Sequence, residues 1–354
     1  MIEKRFYLDI HAIQTLPPSN VNRDDTGSPK TAVYGGVRRA RVSSQSWKSA
    51  MRKYFIEEST FDLGIRSLNV VQYVADRITA KDASVSGADA IKMSEGLFNS
   101  ADIKTTKEHQ TKALFFLGKN QAEQLADAAL RGETDNNVIK QIFRDNPAVD
   151  IALFGRMVAD DPSLNEDASA QVAHAISTHE VRTEFDFFTA VDDLGAEDNA
   201  GAAMLDTVEY NSSTLYRYAN IAVHELARQL GNKEQAIKAA SLFIRAFANS
   251  MPTGKANTFA NQTLPQFLMI NIRADRPVNL VTAFEDPVKS RSGNAGPSIE
   301  KLIAEVEKTG KFVEKPLKTL YVVDSDIAKP EWAAEEESLS ALINDFAEIA
   351  EGLL

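Results

Sequence analysis

Apolar and polar positions alternate at the start of this chain and then switch to a helical period. Phe6, Leu8, Ile10 and Ala12 alternate with Tyr7, Asp9 and His11, which predicts a half-buried strand. Beyond Ser43, a good N-cap, Trp47, Met51, Tyr54 and Phe55 fall at i, i+4, i+7 and i+8 on one face, with Lys48 and Arg52 together on another. This predicts a helix over about Ser44 to Phe55. From Ser59 to roughly Ala175, segments rich in Ala, Gln, Asp and Lys keep a helical period between breaks at Ser86-Gly87, Gly118, Gly132 and Pro147, the pattern of a helical insertion. Strand character returns at Val181 to Val191 and Thr214 to Val223 around a Gly/Ala/Asp-rich turn (Gly195 to Met204), predicting a long hairpin. Asn232 and Gln235 form a capping box for a helix with Ile237, Ala240, Ile244 and Phe247 along one face. Gln266 to Arg273 reads as a strand, Thr319 to Val323 as an edge strand, and Glu335 to Leu354 as an amphipathic helix with an acidic outer face. The order β-α-(insertion)-β-β-α-β is the split βαβ, ferredoxin-like arrangement used by RNA-recognition folds, so the expected class is α+β.

Charge sharpens the picture at one place. Between Thr26 and Ile56 lie Lys30, Arg38, Arg39, Arg41, Lys48, Arg52 and Lys53 with no acidic residue, in a chain whose formal net charge is −11. A cation-only window feeding the start of a Ser-rich helix, where free N–H groups and the helix dipole favour anions, points to phosphate binding. Gly35 and Gly36 just upstream permit a sharp turn.

Enzyme signatures are weak. The chain has no cysteine, which excludes disulfides, thiolate catalysis and zinc sites with sulfur ligands. His179-Glu180 and His224-Glu225 each begin an HExxH-like string but lack its second histidine, and His174 and His179 are five apart. Asp192-Asp193 reads as a solvated turn, and neither a P-loop nor a GxGxxG loop is present. No apolar run reaches membrane-spanning length, and MIEKRFYLDIHAI lacks the pattern of a secretory leader, so neither a membrane-spanning nor a secreted protein is expected.

Asn22 to Lys53, NRDDTGSPKTAVYGGVRRARVSSQSWKSAMRK, resembles the N-terminal signature of the CasC-type backbone subunit of type I-E CRISPR Cascade complexes, within the RAMP superfamily. DIALFGRM (Asp150 to Met157), AHAISTHEVRTEFDFFTAVDDL (Ala173 to Leu194) and LYRYANI (Leu215 to Ile221) agree with that family, and NLVTAFEDPVK with GPSI fits less tightly. The resemblance implies a modified ferredoxin-like, RRM-like palm (1–58 and 215–330), a large helical fingers insertion (59–178), a β-hairpin thumb (179–214) and a C-terminal helix (331–354). It implies a non-catalytic, cytoplasmic protein without a cofactor that polymerises head to tail along CRISPR RNA, kinks it at regular intervals and presents it to a target DNA strand. Implied partners are the large and small Cascade subunits, the end-capping subunits and a recruited helicase-nuclease. The residues it places on RNA are Arg23, Lys30, Ser43, Gln45, Lys48 and Arg52; Arg156 and Met157; and Phe187, Phe188, Thr189 and Val191 of the thumb. Arg38, Arg39 and Arg41 bind RNA, brace the palm or meet target DNA. At Phe187 this chain departs from a Trp of the family, leaving a smaller stacking surface without an indole N–H. Alternation sets Phe185 and Phe187 on one side of their strand, where an ordinary hydrophobic face is the competing explanation, and Phe188 on the other. Two rival functions are a metal-dependent endoribonuclease using Asp24 or Asp25, and a free-standing single-strand nucleic-acid binding protein; a salt bridge to Arg23 or capping of the loop explains the two aspartates more simply.

Overall fold

The computed structural model describes residues 5–189, 205–325 and 330–354. In chain order it opens with strand β1 (Tyr7–Ser19), the hairpin β2 (Thr31–Tyr34) and β3 (Val37–Val42), and helix α1 (Ser44–Glu58). The insertion follows with β4 (Gly64–Ser67), α2 (Val70–Lys81), α3 (Gly87–Ser100), β5 (Phe115–Gly118), α4 (Lys119–Leu130), α5 (Asn136–Arg144) and α6 (Val149–Phe154). Short strands β6 (Ala170–Val172) and β7 (Ala175–Ser177) lead to β8 (Glu184–Thr189) and the long β9 (Leu205–Ala222). The remainder is α7 (Val223–Leu230), α8 (Lys233–Asn249), the single turn α9 (Ala256–Phe259), β10 (Phe267–Arg273), α10 (Ala295–Thr309), β11 (Lys318–Val323), β12 (Ala334–Glu335) and α11 (Leu339–Leu353).

The sheet order is β12-β11-β10-β1-β9-β7-β3-β2, with β6 and β8 also paired to β9. Its centre, β10-β1-β9 followed by β6 and β7, is the strand order of a split βαβ unit, and every pairing in that centre is antiparallel. The α+β class read from the sequence is therefore the architecture found. The second strand of the unit differs from expectation: β6 and β7 fill that position, whereas β8 pairs with the distal half of β9, from Glu184↔Tyr210 to Thr189↔Leu205. Three-residue strands carry too little periodicity to be read from sequence. The expected strand end at Val191, the Asp192-Asp193 pair and the turn over 195–204 lie outside the described residues.

One face of the sheet carries the main core. Leu8, Ile10 and Ala12 of β1 pack with Met51 and Phe55 of α1, Phe243, Ile244 and Phe247 of α8, and Phe346 of α11. The expectation that β1 is half-buried is corrected by the opposite face. There Ile13, Tyr216, Tyr218, Met269 and Tyr321 are covered by Phe284, Ile299 and Leu302, the last two from α10. Asp9 and His11 on that covered face are wholly buried. The polar residues of the alternation are thus interior and must find partners. Tyr218 donates to Asp9 Oδ1 at 2.8 Å, the Val278 N–H donates to Asp9 Oδ2 at 3.0 Å, and His11 Nδ1 lies 2.9 Å from the Tyr216 hydroxyl.

The insertion has a separate core, built from Val74, Ile78, Leu97, Phe98, Phe115, Leu125, Ile139 and Phe143 among others. Its two-stranded sheet, β4 with β5, is an addition to the helices expected there. No helix among the described residues is long and apolar enough to cross a membrane.

Candidate nucleic-acid interface

Helix α1 is the ridge on which most of the expected contacts meet. Ser43 caps it by accepting from the Ser46 N–H, and its own N–H donates to Asn22 Oδ1 at 2.9 Å. That bond ties the helix start to the loop after β1. The Lys30 N–H donates to Asn22 O at 2.8 Å and the Arg41 N–H to Lys30 O at 2.9 Å, so loop, hairpin and helix are held as one unit. Asp24 folds the loop tip: one carboxylate oxygen accepts from the Thr26 N–H, the Thr26 hydroxyl and the Ser28 N–H. These bonds, the Thr26 hydroxyl foremost, hold its carboxyl below the usual range.

Two grooves flank the ridge. The first, of about 910 Å³, is lined by Arg23 and Lys30 of the loop, by Ser43, Gln45, Ser49 and Lys53 around α1, and by the segment Asn249–Gly254 with Gln262. Gly254 is required in that far wall, because a Cβ there would stand 2.1 Å from Val21 O. The second groove, of about 550 Å³, lies on the other side of α1 and is lined by Gln45, Lys48, Ser49, Arg52, Arg66 and the stretch Phe154–Met157. Gln45 and Ser49 border both grooves.

The cations fall into two groups that sequence cannot separate. Arg23, Arg38 and Lys53 are exposed, and Lys30, Arg41 and Lys48 are half-buried. Lys48 Nζ sits 5.8 Å from the Phe154 ring centroid, and burial lowers its pKa. Arg41 donates to Thr31 O at 3.3 Å and lies 3.0 Å from His174 Nδ1. Arg52 is engaged: its Nε meets Asp150 Oδ2 at 3.0 Å, Nη2 donates to Gly64 O at 3.1 Å, and the guanidinium covers the Phe116 ring at 4.5 Å. It fastens α1 to the insertion while keeping an edge on the second groove. Burial pushes the Asp150 carboxyl up, partly offset by the Gly64 N–H and Arg52.

Two expected surface cations are corrected to interior ones. Arg39 is 0 % exposed and donates to Tyr34 O at 3.1 Å, Ser177 O at 3.0 Å and Phe284 O at 2.7 Å. Neighbouring strand residues face opposite ways, so Arg38 points out and Arg39 in. Of the roles open to Arg39, the structure leaves it bracing the hairpin against the sheet. Arg156 is also buried, donating to Leu164 O at 3.0 Å and Phe143 O at 2.6 Å, with burial lowering its pKa to about 10. No phosphate reaches that guanidinium without rearrangement. Met157 beside it is 85 % exposed on the rim of the second groove.

The ribbon of β8 and β9 borders neither groove. Phe185 and Phe187 are 65 % and 64 % exposed on the same side of β8, and Phe188 is 37 % exposed on the other. They are therefore not a core face. Thr189 pairs in register with Leu205, and Val191 lies outside the described residues.

Sequence reasoning missed Ser49, Arg66 and the wall Asn249–Gly254; the only local signal for the last was the Pro-Thr-Gly turn at Pro252 to Gly254. Among the described residues, no group of three or more His, Asp or Glu is arranged to hold a metal ion.

Comparison with known proteins bears on this arrangement. The sequence model of a family described as CT1975-like protein matches residues 8–345. No curated protein matches the chain. Among solved structures, a chain of a "CRISPR RNA-guided surveillance complex, pre-nicking" is 31% identical over 97% of this chain and 100% of that one, with a TM-score of 0.85. A chain of a "CRISPR RNA-guided surveillance complex" is 30% identical over 97% and 99%, with a TM-score of 0.66.

Proposed function

This chain belongs to the family of CT1975-like proteins, and from that premise we propose that it is the non-catalytic backbone subunit of a CRISPR surveillance complex of the Cascade type, type I-E in class. The single observation that carries the reading is the cationic ridge of α1, with Arg23, Lys30, Lys48 and Lys53 opening onto two grooves in a chain of net charge −11. Sequence reading is delegated to the guide, and the protein holds backbone. In this reading the sheet and its helices (1–58 and 215–330, with β6 and β7) are the palm, the rest of 59–178 the fingers, 179–214 the thumb and 331–354 a C-terminal segment whose helix α11 buttresses the sheet.

Phosphates and 2′-hydroxyls lie along α1 against Arg23, Lys30, Ser43, Gln45, Lys48 and the free edge of Arg52, with Arg38 and Arg41 as a second tier. Met157 packs on a base at the rim. Phe187 and Phe188, with Thr189 and Val191, wedge at a kinked nucleotide, for which exposed rings on a projecting ribbon are suited. Copies join head to tail in the cytoplasm, beside the large, small and end-capping subunits, and the assembled guide pairs with a target DNA strand before a helicase-nuclease acts. The loop-capping bonds of Asp24 weigh against the ribonuclease alternative.

The deciding experiment sizes and footprints the nucleic acid that copurifies when the chain is expressed with its neighbours. One RNA of discrete guide length, with exposed nucleotides at a regular interval, is expected. Heterogeneous RNA without periodic exposure would instead mark a general single-strand binder, and magnesium-dependent trimming abolished by Asp24→Ala or Asp25→Ala would mark a nuclease.

A further inference from the structure

Four arginines among the described residues lie inside the fold: Arg39, Arg156, Arg217 and Arg273. Arg273 has a carboxylate partner, Asp275, at 3.0 Å. Arg39 and Arg156 sit on carbonyl oxygens, with acidic groups near enough to favour their charge. Arg217, on β9 opposite Ala12, is different. It is 1 % exposed, and no charged group among the described residues acts on it; burial alone lowers its pKa, to about 9, so it stays a cation at neutral pH.

Its guanidinium lies between two rings, 3.6 Å from the Trp47 centroid and 4.4 Å from that of Phe247. It donates to Gln14 Oε1 at 2.5 Å and Phe247 O at 2.6 Å, and its Nε has no partner among the described residues. Hydrogen bonds and ring faces lower the cost of such a charge without neutralising it. The position matters. Trp47 belongs to the first turn of α1, next to Ser46, and Phe247 is two residues before Asn249; Ser46 and Asn249 line opposite sides of the first groove. The buried charge therefore sits beneath both walls, where little water screens it from an anion above.

We propose that Arg217 is a positioning residue whose uncompensated charge is completed by the phosphates of single-stranded RNA lying in the first groove, coupling RNA binding to the stability of the α1–α8 packing through the Trp47 stack. The proposal rests on the functional reading above and adds to it a cation that RNA never touches. It places part of the groove's attraction out of reach of bulk salt, unlike that of Arg23 or Lys53. Because a ligand that binds only the folded state stabilises it, RNA should raise the thermal midpoint of the chain, and Arg217 should account for part of that rise.

The test measures binding of a labelled, mixed-sequence single-stranded RNA oligonucleotide to the full chain, together with thermal midpoints with and without that RNA, for wild type, Arg217→Met and Arg217→Lys. A unit charge about 10 Å from a phosphate at an effective dielectric constant of about 20 corresponds to roughly tenfold in affinity, the loss expected for Arg217→Met. Because the substitution also leaves Gln14 Oε1 and Phe247 O without their donor, its midpoint without RNA serves as the baseline, and RNA should raise that midpoint less than it raises the wild-type one. Lysine titrates more readily than arginine when buried, so Arg217→Lys should regain wild-type affinity as pH falls, a recovery Arg217→Met cannot show. A folded Arg217→Met chain that binds RNA as tightly as wild type overturns the proposal. So does an Arg217→Lys chain that stays at least tenfold weaker than wild type at every pH, and this arm decides the matter if the Met variant fails to fold. Should wild type itself not bind the oligonucleotide, it is the functional reading that fails, a result distinct from either of these.

Discussion

At the scale of single residues, the cationic window divides by direction. Lys48 and Lys53 reach different grooves from the same helix, while Arg39 is spent on three carbonyl oxygens inside. Only groups that meet phosphate release counterions, so Lys48→Ala with Lys53→Ala should flatten the plot of log affinity against log salt by about 0.7 for each phosphate of single-stranded RNA left without its ammonium partner. A slope equal to that of wild type would take both ammonium groups off the RNA. Arg52 is a poor choice for this measurement, because its removal also leaves the buried Asp150 without its ion-pair partner. The composition of the window was legible in the sequence, and so was the face shared by Lys48 and Arg52. Which arginines point inward was not. The inward turn of Arg39 depends on carbonyls at Ser177 and Phe284, and that of Arg156 on carbonyls at Phe143 and Leu164, partners that only the fold brings near.

At the scale of elements, α1 was readable because a cap, a period and a polar face agree over one stretch, and it begins at Ser44 as expected. The hairpin of β2 and β3 and the short β6 and β7 were not, since strands of three to six residues leave no period to count. The strand β1 is legible in the sequence, but its second face reads as solvent-facing because α10, which covers it, lies far along the chain. That covered face has a consequence for pH. Asp9 is raised from 3.8 to about 7, chiefly by burial, with Tyr218, the Val278 N–H and Arg273 opposing and Asp275 assisting. The unfolded chain releases this proton from about pH 4 and the folded chain only near pH 7, so the Asp9 contribution lowers stability as pH rises across that window. His11 behaves oppositely: burial, with Arg273 nearby, lowers it from 6.5 to about 3, so stability falls as pH drops from 6.5 toward 3. Between about pH 4 and 6.5 the two nearly cancel. Asp9→Asn removes one of the pair and should make the thermal midpoint fall more steeply with acid below pH 6.5 than that of wild type, by at most about 1.4 kcal/mol of stability per pH unit. Parallel pH profiles for the two proteins would contradict this pairing.

At the scale of the whole molecule, the fold and its charge distribution would limit, in the proposed reading, how RNA lies and how copies gather on it. The sheet face opposite α1 and α8 is closed by Phe284 and α10, so bases cannot spread over it as they do on an open RNA-recognition sheet. Open instead are the ridge of α1, its two grooves and the ribbon carrying the exposed Phe185 and Phe187. Positive charge is concentrated along α1 and its grooves, whereas the chain as a whole carries −11; in the proposed reading copies therefore repel one another and are drawn together by the strand that each of them binds. A backbone protein of this kind should load a single strand in steps, one further copy for each fixed increment of RNA length. Native mass spectrometry on RNAs of graded length would count them. Salt should act in both directions: screening shortens the reach of repulsion between copies, to about 10 Å at 0.1 M, while weakening the hold on each phosphate. At saturating protein the copy number on a long RNA should therefore pass through a maximum at intermediate ionic strength. A single copy at every RNA length would rule out the backbone role. A copy number that only falls as salt is added would show that repulsion between the acidic surfaces does not limit packing along the strand.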